Sequence, residues 1–585
     1  MFKLFKNLSK KDIVRILFCL ILVVVQVWLD LKMPDYMSAI TRLVQTDGSK
    51  MSDILRQGSY MLSCAFGSLI SAIIVGYFAA NIASSFATTI RRKIFNKIEN
   101  FGMQEMKKFS TSSLITRTTN DVTQVDMVIG MGLQMLVKAP IMAVWAILKI
   151  LNKGTQWSIL TACCVLILLI FVTILFIVVL PKFEKVQKLI DKVNGVTREN
   201  LTGIRVIRAF NAEEYQEERF DKVNNDLTNL QMFNQRCFSL MSPIMSLVMQ
   251  GLTLGIYVIG TVLIEKANML DKITLFSNMV VFSSYGMQVI MSFLMLAVIF
   301  MMWPRAKISA ERINEILDQD ISVIEGSFDE KTKEKGTVEF KDVSFKYPDA
   351  DEYILRDISF KVKKGETIAF IGSTGSGKST LINLVPRFYD ASSGKVLIDG
   401  VDVKEYKKEA LNNKLGYVPQ KAVMFTGTVS SNVSYGKSNN KITNDKIKEA
   451  IDVAQAKDFV EKMDEKYESH IARGGTNVSG GQKQRLAIAR AIARKPEIYI
   501  FDDSFSALDY KTDSVLRREL KKYTSDATVM IVAQRIGTII NADKIIVLDK
   551  GKCVGIGTHK ELLKNCEVYK EIALSQLSEG ELKNA

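Results

Sequence analysis

The sequence predicts an all-α membrane half of six spans joined to a soluble α/β domain of the phosphate-loop type. Three observations predict it. Apolar runs long enough to cross a bilayer recur through residues 13–310 and then stop. A glycine-rich motif, Gly372-Ser373-Thr374-Gly375-Ser376-Gly377-Lys378-Ser379, stands between an apolar strand pattern and a helix start. The 585 residues are 48% hydrophobic and 24% charged with a positive mean hydropathy, the mixture expected of a membrane part joined to a charged soluble part.

Residues 1–12 form a basic segment (Lys3, Lys6, Lys10, Lys11) ahead of the first apolar run. No small-residue cleavage site follows that run, so 13–35 reads as an uncleaved first span. Further spans are expected at 56–82, 128–151, 156–181, 240–264 and 275–303. Basic residues crowd the second-to-third connection (Arg91, Arg92, Lys93, Lys97, Lys107, Lys108, Arg117) and the fourth-to-fifth (Lys182, Lys185, Lys188, Lys192, Arg198), while alternate connections such as 152–154 are short and poor in charge. The positive-inside rule then puts both termini, both long loops and the soluble domain in the cytoplasm, with the chain in the cell membrane. The net charge of +15 belongs to those loops and to anionic lipid rather than to nucleic acid, since no aromatic-interleaved basic patch exists. Seven cysteines without C-x-x-C spacing read as free thiols of a reducing compartment, and two histidines make a histidine-based metal site improbable.

Polar residues inside the spans are Gln26, Lys138, Gln250, Asn278 and Gln288. Lys138, in Leu136-Val137-Lys138-Ala139-Pro140, either lines a substrate cavity or snorkels toward the interface. The methionines of the last two spans (Met241, Met245, Met249, Met279, Met287, Met291) suit either an adaptable apolar surface or ordinary gap-filling.

Residues 307–317 continue a helical pattern out of the last span and 320–335 are charged and pattern-poor, so 311–335 read as a linker; 336–575 alternate strand and helix patterns, an α/β domain; 576–585 are a tail. In the glycine-rich loop, bare backbone N–H groups can point at phosphate oxygens, Lys378 supplies a charge for the β- and γ-phosphates, and Ser379 offers a hydroxyl to Mg²⁺. Downstream, in order, come Tyr417-Val418-Pro419-Gln420, Asn477-Val478-Ser479-Gly480-Gly481-Gln482, Ile498-Tyr499-Ile500-Phe501-Asp502 and Ser506-Ala507-Leu508-Asp509.

These four segments resemble the Q-loop, signature, Walker B strand and D-loop of ABC ATPases. Residues 111–122 and 199–214 resemble the intracellular loops of six-helix ABC exporters, so the resemblance covers nearly the whole chain as one half-transporter. It implies that Tyr347 stacks on adenine, that Lys378, Thr380 and the 372–379 backbone hold the phosphates, and that Ser379, Gln420 and Asp502 serve Mg²⁺. It also implies that Ser479, Gly480, Gly481 and Gln482 reach the ATP of a second such domain, so the chain must pair. Coupling helices are expected near 111–118 and 211–217, and the implied activity is ATP-driven export of amphiphilic, drug- or lipid-like compounds.

Two positions depart from the family. Asp503 stands where a glutamate polarises the attacking water, and Gln534 where a histidine is usual. The chain's only histidines, His470 and His559, lie elsewhere in the pattern. The paired departures resemble the degenerate-site subunits of heterodimeric exporters. The expectation is a slow ATP site here and a fast one on a partner, completed by this chain's Ser479 segment. A homodimer hydrolysing slowly through Asp503, or an ATP-gated channel or regulator, are the alternatives.

Overall fold

The computed structural model describes residues 2–46, 48–151, 154–330, 332–437 and 441–576. They form two compact units: residues up to Glu99 with Ser112–Gln319, and Asn100–Thr111 with the chain from Asp320 on.

The first unit is helical. Its elements are α1 (Phe2–Phe5), α2 (Lys10–Gln45), α3 (Met51–Glu99), then, beyond α4 (Met103–Lys108) of the other unit, α5 (Thr111–Thr118), α6 (Asn120–Met135), α7 (Lys138–Leu151), α8 (Thr155–Ala209), α9 (Glu213–Ser239), α10 (Met241–Lys266) and α11 (Met269–Asp318). Six stretches of these are long and apolar enough to cross a membrane. Helices α3, α8 and α11 have 49, 55 and 50 residues. At 1.5 Å per residue they run roughly 70–80 Å, well over twice a hydrocarbon core of ~30 Å, so each continues far outside it. The third span breaks between α6 and α7, and Pro140 sits in the first turn of α7, where a missing N–H leaves no helical bond unmade.

Polar stitches hold the helices together. The Lys138 ammonium lies 3.0 Å from the Asp30 carboxylate of α2. Ser68 of α3 donates to the same carboxylate. Lys149 of α7 reaches Asp35 of α2 at 2.7 Å, and the Tyr285 hydroxyl of α11 donates to Asp35 at 2.8 Å. The charge expensive in lipid is thus matched by a carboxylate one helix away. Asp30→Asn leaves Lys138 without its counter-charge and is expected to cost about 3 kcal/mol, most of which Asp30→Asn with Lys138→Met recovers. Thermal unfolding in detergent micelles checks this, and a single variant as stable as the parent would count against it. Of the methionines, Met245 and Met279 are buried in the helical core, whereas Met291 is 44% exposed.

The second unit has two sheets. Strands β1 (Val338–Phe345), β2 (Leu355–Val362), β4 (Ser393–Ile398) and β5 (Val401–Asp402) form an antiparallel sheet in the order β2-β1-β4-β5. Strands β3 (Thr367–Gly372), β6 (Leu415–Val418), β9 (Ile498–Asp502), β10 (Thr528–Val532), β11 (Lys544–Asp549) and β12 (Lys552–Gly557) form the main sheet in the order β12-β11-β3-β10-β9-β6. It is parallel except for the edge strand β12. Strands β7 (Gly427–Thr428) and β8 (His470–Ile471) pair as a short ribbon. Strands β9 and β10 are buried at every position, as a parallel sheet covered on both faces requires.

The helical pattern expected over 307–317 forms as the end of α11, which runs to Asp318, so the irregular part of the linker begins at Gln319. Its charged residues do not float: the Phe328 N–H donates to the Glu405 carbonyl at 2.8 Å, and its ring meets Tyr406 edge-on at 5.2 Å. Gly326 allows that approach, since a Cβ there would stand 2.1 Å from the Glu405 oxygen. Helix α5 forms over the expected segment 111–118 and α9 begins at Glu213 within 211–217, while the short helix α4 groups with the α/β unit. Buried Glu105 fixes it, accepting the N–H of Gly102 at 2.7 Å and of Ser322 at 3.1 Å, with Phe101 and Phe109 stacked beside it. Of the expected tail 576–585, all but Gln576 lies outside the described residues, as do Asn152 and Lys153.

Candidate nucleotide site

Neighbouring strands of a parallel sheet end side by side, so the loops leaving their carboxyl ends meet. Here β3, β10 and β9 are adjacent, with Val532 level with Phe370 on one side and Asp502 on the other. Strand β6 lies beyond β9, with Val418 level with Phe501. The loops that follow therefore bring together residues 372–380, Gln534, Asp502, Asp503 and Gln420, at the edge where open α/β sheets bind ligands.

The loop 372–377 leads into helix α12 (Lys378–Asn383), with Gly377 as N-cap at φ 97°. That left-handed backbone suits glycine, and a Cβ there would press on the Leu355 side chain at 2.8 Å. At Gly372 a Cβ would stand 2.1 Å from the Leu548 carbonyl oxygen. Lys378 folds over the loop, its ammonium donating to the carbonyls of Gly372 at 2.9 Å and Ser373 at 2.8 Å, with the Ser376 hydroxyl at 3.5 Å. Thr374 and Gly375 form the loop's crest, Gly375 at φ 85°. Thr380 meets the Tyr347 hydroxyl at 3.1 Å, which ties the aromatic ring to the phosphate loop.

The Ser379 hydroxyl donates to Asp502 at 2.8 Å. Burial raises the Asp502 carboxyl above its ordinary range; the Ser379 bond opposes this and the negative charge of Asp503 adds to it. Burial likewise holds the Lys378 ammonium below its ordinary range against the pull of both aspartates. Two adjacent carboxylates in a half-desolvated site, one beside a hydroxyl, are hard oxygen donors suited to a divalent cation. With the glycine cradle and Lys378, these residues fit a magnesium nucleotide.

Asp503 and Gln534 lie in contact. The Gln534 amide donates to the Asp503 carboxylate at 2.8 Å, and Gln420 donates to the same oxygen at 3.2 Å. Asp503 has φ 45°, a left-handed conformation that aspartate tolerates better than most residues, and its N–H donates to the Val532 carbonyl at 3.1 Å.

Ser479, Gly480, Gly481 and Gln482 stand apart from this cluster. Ser479 caps the helix Gly480–Arg494: its hydroxyl accepts the Gln482 N–H, and Gln482 Oε1 accepts the Ser479 N–H at 2.9 Å. Ser479 and Gly480 are exposed, so the 15-residue helix presents an open N-terminus whose positive end suits an anion.

Sequence reasoning missed Asp30 and Asp35, the counter-charges of Lys138 and Lys149, and it read Lys107 only as a positive loop residue. The available signal was the pair of aspartates at the far end of the first apolar run, costly in lipid unless matched.

The family described as the ABC transporter transmembrane region matches residues 16–293, and the family described as ABC transporter matches residues 355–506. An uncharacterized ABC transporter ATP-binding protein of Mycobacterium tuberculosis is 37% identical over 549 residues, spanning 92% of this chain and 93% of the relative. An ATP-dependent lipid A-core flippase of Aliivibrio fischeri is 30% identical over 533 residues, 90% of this chain and 89% of the flippase. Among solved structures, a bacterial Atm1-family ABC exporter with ATP bound shares the fold with a TM-score of 0.81 at 23% identity, covering 98% of this chain and all of that one. The chain therefore belongs to the ABC transporter family, as a multi-pass membrane protein that carries one transmembrane region and one ABC ATPase domain on a single polypeptide.

Proposed function

We propose that this chain is one half of a heterodimeric exporter, in which its own nucleotide site is the slow one. The phosphate loop, Lys378, Ser379, Asp502 and Gln420 would hold ATP and Mg²⁺, with Tyr347 under the adenine. Ser479–Gln482 would complete the fast site of a partner half-transporter that has glutamate and histidine at the corresponding positions. Closure of the paired ATPase domains would drive the membrane helices between inward- and outward-facing states, with the ATPase domains in the cytoplasm. The cargo class is amphiphilic, drug- or lipid-like. The flippase relative supports it, and so does an apolar cavity of 340 Å³ among Leu168, Val172, Phe176, Met245, Phe293 and Ala297.

The observation that carries this reading is the Gln534–Asp503 bond. The catalytic carboxylate is one methylene short, on the order of 1.5 Å, and a misplacement of that size costs on the order of a hundredfold in rate. The neighbouring amide holds that carboxylate and offers no titratable proton. To test it, the chain is purified alone and with the half-transporter encoded beside it. The expected result is weak ATP hydrolysis alone, and strong hydrolysis with dye accumulation in inside-out vesicles for the pair. Vigorous hydrolysis by the lone chain would overturn the reading.

A further inference from the structure

The Lys107 ammonium, at the end of α4, lies 4.0 Å from the ring centroid of Tyr347 and 5.7 Å from that of Tyr389. Phe345 and Tyr389 meet the Tyr347 ring nearly perpendicular, at 5.0 Å and 5.3 Å, and Thr380 holds its hydroxyl. The lysine is exposed, so its contacts with the two tyrosines, a hydrogen bond with Tyr389 among them, hold it there rather than burial. The helix carrying it is anchored by buried Glu105 to the start of the linker, two residues before Lys107 in the chain. A cation over a tyrosine face is worth about 0.5–1 kcal/mol at such a site. A flat heterocycle stacking on the same face gains a comparable amount, and both cannot have it.

We propose that Lys107 is a positioning residue of the nucleotide site: its ammonium and the adenine base compete for the Tyr347 ring. A nucleotide that stacks there displaces Lys107 from Tyr347 and loosens the hold of the end of α4 on the aromatic platform. The segment 100–111 runs directly from α3 into α5, so base occupancy is passed to the membrane helices by the chain itself. The proposal rests on Tyr347 being the base platform.

The test compares MgATP with magnesium tripolyphosphate, which has the phosphates and no base. Calorimetric titration of the full-length protein in lipid nanodiscs gives the affinity of each. Lys107→Ala and Lys107→Met are expected to bind MgATP roughly two- to fivefold more tightly, the fold-change equivalent of the cation–π contact, with the affinity for tripolyphosphate held. Lys107→Arg keeps a cation over the ring and is expected to restore the parental value. The gain vanishes in a Tyr347→Ala background. Weaker or unaltered ATP binding in Lys107→Ala overturns the proposal, and so does an equal change for both ligands, which would mark a general charge effect. If Tyr347→Ala leaves the ratio of ATP to tripolyphosphate affinity as it was, Tyr347 is not the platform and the proposal falls with that reading. If Tyr347→Ala lowers the ratio while Lys107→Ala does not raise it, the platform stands and only the competition is lost.

Discussion

Asp503→Glu combined with Gln534→His is expected to raise ATP hydrolysis at this chain's own site by about a hundredfold. Asp502 and Ser379 are already 2.8 Å apart, Lys378 lies over the loop, and the glycine cradle is formed, so the binding half of the site is complete. Under the proposed reading, the carboxylate that would reach a water is short and a group that can carry a proton is missing. Glutamate supplies the reach and histidine the proton. Each single variant should recover only part, because residues acting as one unit are not additive. The backbone sets a small penalty: position 503 has φ 45°, which glutamate adopts less readily than aspartate, at about 1 kcal/mol of stability. Single-turnover hydrolysis of radiolabelled ATP reads the site directly. A parental rate already equal to that of the double variant would end the degenerate-site reading, and so would no gain at all.

How much of this was legible in the sequence depends on whether a feature leaves a side-chain signature. The six apolar spans and the strand–loop–helix around Lys378 did, because lipid and a buried parallel strand both demand unbroken apolar runs. The convergence of Gln420, Asp502, Asp503 and Gln534 was readable only as motif order; the sheet order β3-β10-β9-β6 makes it a physical site, and strand order has no local sequence code. The docking of the linker leaves no signature, because Phe328 and Gly326 dock through backbone hydrogen bonds, and charged side chains around them look the same whether the backbone is bound or free. The anchoring of α4 leaves no local signature for a related reason. Glu105 reads as one more charge in a basic loop, yet it is 2% exposed and satisfies two backbone N–H groups. Lys138 was an open question since its answer, Asp30, lies on another span.

Ser479→Arg in this chain is expected to remove most of the ATPase activity of the assembled pair, by about a hundredfold, whereas Lys378→Ala in the same chain is expected to leave a substantial fraction. The asymmetry follows from where the two residues sit. Among the described residues Lys378 bonds to its own loop, and under the proposed division of labour it serves the slow site. Ser479 caps an exposed helix N-terminus whose positive end faces outward, with a hydroxyl and bare N–H groups free for an anion from another molecule. An arginine there fills the space a γ-phosphate would occupy and breaks the reciprocal cap with Gln482, a loss of about 1 kcal/mol to the helix itself. Stability therefore drops only slightly while the partner's site loses the surface that completes it. The matched substitutions in the partner should show the reverse order: its phosphate-loop lysine matters most and its signature serine least. Steady-state hydrolysis by the four singly substituted pairs decides this. Equal losses from both substitutions in this chain would mean two equivalent sites, as a symmetric dimer has, and the division of labour between slow and fast sites would have to be given up.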